Sequence, residues 1–170
     1  MISYRDAILL LENEGCSEKV IQHCIEVSRA SEDIAKRIQK RGYDVDIELV
    51  RIGGLLHDIG RGTTHGIMHA DAGSRRADEL GLDKKLISII KNHIGAGIPA
   101  NEAKEMDLPP QDYIPLSMEE KIVAHADNLV KGTKRISTDE RINQMKKKGV
   151  GKEAMERVHA LAEELGIKQL

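Results

Sequence analysis

No phenylalanine and no tryptophan occur in this chain, and Tyr4, Tyr43 and Tyr113 are its only tyrosines among 170 residues. Hydrophobic residues still make up 40% of it, so a core must be assembled from Ile, Leu, Val, Ala and Met. Such side chains suit close helix packing better than a β-sandwich, whose strands draw on aromatic residues. The same poverty removes the stacking platforms on which single-stranded nucleic acid is held.

Apolar spacing agrees. A first helix is expected from Ser3, which can cap it, to Gly15. A longer one follows from Ser17 to about Arg41, with Val20, Cys24, Val27, Ile34 and Ile38 at helical steps. Asp46 caps a third helix, which runs through Val50 and Gly54 to His57 and stops at Gly60 and Gly62. A fourth covers His69 to Leu80. Asp83 caps a fifth, which ends near His93 and Gly95. The stretch from Gly95 to Leu116 holds all four prolines and reads as a loop, functional or mobile, that could serve as a lid. Ser117 and Glu120 form a capping box for a sixth helix. Amphipathic stretches at Thr138–Lys148 and Lys152–Leu165 complete the chain. No strand pattern is found. The expectation is an all-α, single-domain bundle of about seven or eight helices spanning residues 1–170.

Net charge is −2, which gives no strong nucleic-acid signal. The one basic run, Lys146-Lys147-Lys148, reads as a solvated helix end. Cys16 and Cys24 form no CxxC pair and read as reduced thiols. No apolar stretch approaches the ~18 residues of a membrane span, and no signal peptide is evident. A cytoplasmic protein with no membrane partner is expected.

Polar residues on apolar faces carry the functional argument. His57 lies three residues past Gly54 and seven past Val50. His93 lies three past Ile90 and four past Ile89. His23 lies three past Val20 and four before Val27, and Asp127 lies four past Val123. A single buried histidine is unremarkable. A buried carboxylate without a partner costs several kcal/mol, however, and no lysine or arginine stands in an obvious pairing position beside Asp127. Histidines and aspartates converging inward are the donor set of a divalent metal. The adjacent His57 and Asp58 project about 100° apart on a helix and can reach one cavity. Gly60 and Gly62 then leave backbone room for a small ligand.

"GLLHDIGRG", with His23 upstream and "AHADNLV" downstream, makes an H…HD…D pattern. In it the chain resembles the HD-domain metal-dependent phosphohydrolases, over a motif core of about residues 15–131. "MHADAG" with His69 and "IKNHIG" with His93 are similar to the members that carry two further histidines. The resemblance implies a dinuclear centre: His23, His57 and Asp127 on one ion, His69 and His93 on the other, and Asp58 bridging. Relatives of this layout hydrolyse dinucleoside polyphosphates, cyclic dinucleotides or RNA. The chain lacks the GYP signature of the cyclic-dinucleotide group and any RNA-binding module.

The expected activity is cleavage of a phosphoester or phosphoanhydride, of a small phosphorylated or nucleotide substrate, by a metal-activated hydroxide. Asp58 and Arg61 are the candidate catalytic residues. Arg61, Thr63, Thr64 and Lys131 are candidate substrate contacts, although Arg61 and Lys131 read equally as helix-end residues and the threonines as plain loop. His65 is read as a further candidate or a surface loop residue, His125 as structural and His159 as packing or surface. One or two ions of Mn, Fe, Co, Ni or Zn suit these ligands better than Mg, with iron or manganese leading. A nucleotide sensor without catalysis and a di-iron oxygenase are the competing readings. Helices within 137–170 are free to pack on the core or to form a homodimer surface.

Overall fold

A computed structural model describes residues 2–170. The chain forms α1 (Tyr4–Asn13), α2 (Glu18–Lys40), α3 (Ile47–Leu56), a 3₁₀ turn (Ile59–Gly62), α4 (His69–Glu79) and α5 (Lys84–Asn92). It continues through α6 (Ala100–Glu105), α7 (Met118–Asn128), the two-residue strands β1 (Val130–Lys131) and β2 (Lys134–Arg135), α8 (Thr138–Lys147) and α9 (Lys152–Leu165). The fold is all-α apart from one small antiparallel ribbon, in which Val130 faces Arg135 and Lys131 faces Lys134. That ribbon corrects the expectation of no strand. Two residues a side are too few to show alternation, so nothing in the pattern marks it.

Caps set the helix starts. The side chains of Ser3, Ser17, Asp46, Asp83, Ser117 and Ser137 each accept a first-turn amide hydrogen, satisfying donors with no partner inside the helix. The reciprocal box expected at Ser117 is incomplete. Glu120 turns its carboxylate to the Leu116 amide and to Asn92 instead, and the full box is Ser137 with Glu140.

The 23-residue α2 packs along α3 and α7, with α5 against α3, α4 and α7. Its buried Cys24, Val27, Ile34 and Ile38 meet Leu49, Ile52, Leu55 and Ile122 in one core made almost wholly of aliphatic side chains. The α9 helix lies on α7 and α8 and places Leu161, Leu165 and Ile167 in that core. His125 joins the same region, its Nε2 2.6 Å from the Ile167 carbonyl.

The proline-containing stretch is not structureless. It carries α6 and a bridge between Ile98 and Tyr113, around a small core of Ile98, Ala103, Leu108 and Tyr113. Tyr113 donates its hydroxyl to buried Asp71 of α4 at 3.1 Å, which pins the stretch to the bundle.

The glycines after His57 are used for packing, which corrects the expectation that they leave room for a ligand. A Cβ on Gly60 would lie 1.9 Å from the His69 carbonyl oxygen, and one on Gly62 1.9 Å from that of Glu14. Backbone therefore meets backbone at both positions, and the first turn of α4 is drawn in beside the end of α3.

Candidate metal centre

Three histidines sit at helix ends, each ring beside the carbonyl three residues back. His57 closes α3, His93 closes α5 and His69 opens α4. Their Nδ1 atoms lie 2.7 Å from the carbonyl oxygens of Gly54, Ile90 and Gly66 respectively. A carbonyl has no proton to give, so each Nδ1 donates, and in its neutral form each ring would present a bare Nε2 lone pair. All three rings are buried.

Those lone pairs converge on Asp58. Its Oδ1 lies 3.1 Å from His69 Nε2 and 3.5 Å from His93 Nε2, while its Oδ2 is 3.7 Å from His57 Nε2. Asp127 Oδ1 is 3.7 Å from the same His57 nitrogen and 3.0 Å from His23 Nε2. The other ring nitrogen of His23 reaches the Gly132 carbonyl at 2.7 Å, across the turn of the ribbon.

This arrangement fits divalent cations. Buried His57 Nε2 and Asp58 Oδ1 find no hydrogen-bond partner among the described residues, a cost that an ion removes. Three overlapping groups have donor atoms within 4.8 Å of one another: His23, His57 and Asp58; His57, His93 and Asp127; and Asp58, His69 and His93. Asp58 belongs to two of them, with one oxygen toward each side. No thiolate takes part, which leaves the donor set borderline in softness.

Electrostatics follow from the packing. Burial opposes charge on His23, but the Asp127 carboxylate outweighs it and raises the imidazole to about 9. Burial dominates at His57 and lowers it to about 4. Burial also works against charge on Asp58 and Asp127. Protonated or hydrogen-donating imidazoles, His57 foremost at Asp58 and His23 at Asp127, prevail in the absence of ions and hold both below the usual carboxylate range.

A cleft of about 390 Å³ opens above His23, Asp58 and Asp127. Arg61 lines it, with Nε 2.6 Å from Asp58 Oδ2 and Nη1 3.0 Å from the His65 carbonyl. It thus braces the aspartate from the last turn of the 3₁₀ helix. Lys131 lines the rim from β1. Exposed Thr63 and half-buried Thr64 do not line it, because both amides bond back to the Gly60 carbonyl and turn the chain away. His65 and His159 are exposed.

Sequence reading missed the opposite wall, Arg141, Gln144, Lys147 and Lys148 of α8 and its end. Arg141 donates to the carbonyls of Asp127, Asn128 and Val130, which closes the end of α7 beneath Asp127. The steps of three and four from Arg141 to Gln144 to Lys148 could have shown a polar face. Lys147 and Lys148 are solvated, as expected, but they also border the cleft.

The HD domain family profile matches residues 20–132. The chain belongs to the HD domain family. HD domains bind divalent ions, and membership of this family supports a metal-dependent hydrolase activity for this chain. It is 48% identical over 165 residues to an uncharacterized protein of Methanocaldococcus jannaschii, covering 96% of this chain and 97% of that one. It is 42% identical over 152 residues to a tRNA (cytidine(56)-2'-O)-methyltransferase of Thermoplasma volcanium, covering 89% of this chain but 43% of that relative. The HD domain thus spans less than half of the latter. In fold it is similar to the HD domain of the phosphodiesterase PgpH of L. monocytogenes, solved in complex with cyclic-di-AMP. That similarity has a TM-score of 0.57 at 16% identity over 92% of each chain. No helix among the described residues is long and apolar enough to cross a membrane.

Proposed function

We propose that this HD domain protein hydrolyses a phosphoester or phosphoanhydride of a nucleotide at a centre of two transition-metal ions. His23, His57 and Asp127 hold one ion, His69 and His93 the other, and Asp58 lies between. The observation that carries the reading is the convergence of three imidazole Nε2 atoms on the two oxygens of Asp58, beneath a rim of five cationic side chains, Arg61, Lys131, Arg141, Lys147 and Lys148.

Bound ions supply Lewis acidity and a hydroxide at neutral pH. The chain supplies everything else. Backbone carbonyls fix the tautomers of His57, His69 and His93 before any ion arrives. Arg61 and Lys131 attract and orient the phosphate, and Arg61 has its second terminal nitrogen left for a forked contact. Asp58 and Asp127 balance the cationic charge and can orient the proton of an attacking water.

The test combines metal analysis of the purified protein with phosphate and nucleotide release. Nucleotides, cyclic nucleotides and dinucleoside polyphosphates are assayed under Mn, Fe, Co, Ni, Zn and Mg, with Asp58→Ala as control. Turnover in the wild type alone is expected. Nucleotide binding with no product under any ion would turn the reading into that of a sensor.

A second reading takes the phosphoester from RNA. It is favoured by the relative named a tRNA methyltransferase, which carries a similar HD domain in under half of its length. Release of product from an RNA oligonucleotide, and none from free nucleotides, would establish it.

A further inference from the structure

A second cavity of about 300 Å³ adjoins the metal cleft behind Asp127. The two share Asp127, Arg141, Gln144 and Lys148 along their common edge. Their chemistry differs. The metal cleft is ringed by cations and carboxylates, whereas the inner cavity is walled by Ile67, Ile94, Ile98, Met106, Met145 and Val150. Its floor holds Arg157, but that guanidinium is fully engaged by the Glu102 carboxylate and the Gly97 carbonyl. It adds no free charge.

We infer that this inner cavity is the nucleoside subsite of the enzyme, formed where α8 and α9 face the HD core. The inference rests on the phosphate-cleaving reading of the metal cleft. Its occupant must have an anionic head at the ions, a polar middle at Gln144 and Asn128, and a largely apolar body beyond. A nucleoside phosphate has that order of groups. The Gln144 amide makes no hydrogen bond with any described residue, and it offers a donor and an acceptor where the cavities join. Met106 and Met145 are unbranched and polarizable, and they can close on a flat ring without aromatic partners. The volume lies at the lower end of small-molecule sites, about 300–1,000 Å³, which suits one nucleoside and not two.

The cavity's location strengthens the assignment. The family profile ends at residue 132, and Gln144, Met145, Lys148, Val150, Ala154 and Arg157 all lie beyond it. Ligands for the ions thus all lie within the matched region, whereas one wall of the proposed nucleoside subsite comes from the helices that follow it.

Calorimetry tests this without relying on turnover. AMP, GMP, CMP, UMP, ribose 5-phosphate and geranyl phosphate are titrated into the full chain, first with ions removed by chelator and then with Mn²⁺ restored. At least one nucleotide is expected to bind tenfold or more tightly than ribose 5-phosphate. Ala154→Leu, which fills the cavity from α9, should abolish that advantage and leave ribose 5-phosphate binding as it was. Met145→Gln, which makes one wall polar, serves the same purpose should Ala154→Leu melt early. Equal affinity for nucleotides and ribose 5-phosphate, no binding of any, or tighter binding of geranyl phosphate would overturn the subsite. An RNA tetranucleotide with a 5′-phosphate tells whether the nucleoside comes free or from an RNA end, and preferential binding of either supports the subsite. Preference for a nucleotide without hydrolysis of any phosphoester would sink the hydrolase reading and leave the subsite standing. Hydrolysis without preference would do the reverse.

Discussion

The Nε2 atoms of His69 and His93 lie 3.1 Å apart, and each ring already donates its Nδ1 proton to a carbonyl. Two lone pairs at that separation repel unless a cation or a shared proton sits between them. Ion binding should therefore stabilise the fold. At a free ion concentration ~100 times Kd the gain is about 2.7 kcal/mol. Scanning calorimetry with and without chelator should show a Tm higher by several degrees in the loaded form, and an unchanged Tm would contradict this.

Asp58→Asn keeps the shape of the side chain and removes the charge between the two histidine groups. Loss of this ligand should lower ion affinity more than about 100-fold, above the range seen for partners outside the coordination sphere. Metal analysis after gel filtration should find the second ion absent, and turnover should fall with it.

His23 sets a pH dependence. Its metal-free value is raised from 6.5 to about 9. A raised value means stability that is fully present below 6.5 and lost as pH climbs through 9. Thermal melts of the metal-free protein should thus fall across that window. The same proton must leave before Nε2 can bind an ion. Affinity should rise by up to about tenfold per pH unit until pH ~9, with a proton released into the buffer. His57, lowered to about 4, stays ready throughout. Calorimetry in buffers of different ionisation heat counts the proton.

Gly60→Ala introduces a methyl group 1.9 Å from the His69 carbonyl oxygen. Neither partner is a flexible side chain, so α4 must shift. A cost of about 1–3 kcal/mol is expected. The ion held by His69 should be lost before the one held by His23. Equal loss of both would show that α4 is not positioned through this contact.

Arg61→Gln removes the charge that braces Asp58 and leaves every proposed ligand in place. Ion content should persist, while KM for a phosphoester rises about 10- to 100-fold, the worth of a charge-assisted hydrogen bond of about 1.5–3 kcal/mol. Steady-state kinetics on the fully loaded variant would reveal it.

The helices and four inward-facing residues could be read from spacing, because amphipathic periodicity and buried carboxylates are local signals. His23, His57, His93 and Asp127 each stand at a helical step from apolar neighbours, and all four meet in space. The pairing of Asp58 with His69 and His93 depended on the family motif, since no local pattern brings α4 and α5 to the end of α3. Three features stayed hidden. The role of Gly60 depends on a partner nine residues later, the α6 segment on a small core of its own, and the α8 wall on how the last helices fold back. Each is tertiary, and only the α8 wall leaves a periodic trace in its own segment, the polar steps from Arg141 to Gln144 to Lys148.

Asp127 stands 104 residues after His23, and the donors between them come from α2, the end of α3, α4, the end of α5 and α7. No stretch of the emerging polypeptide can capture the ions alone. A chain still on the ribosome cannot complete the group that includes Asp127 until its seventh helix has left the exit tunnel and docked. Full occupancy then marks completed folding, because a copy that lacks α7 is short of the Asp127 donor.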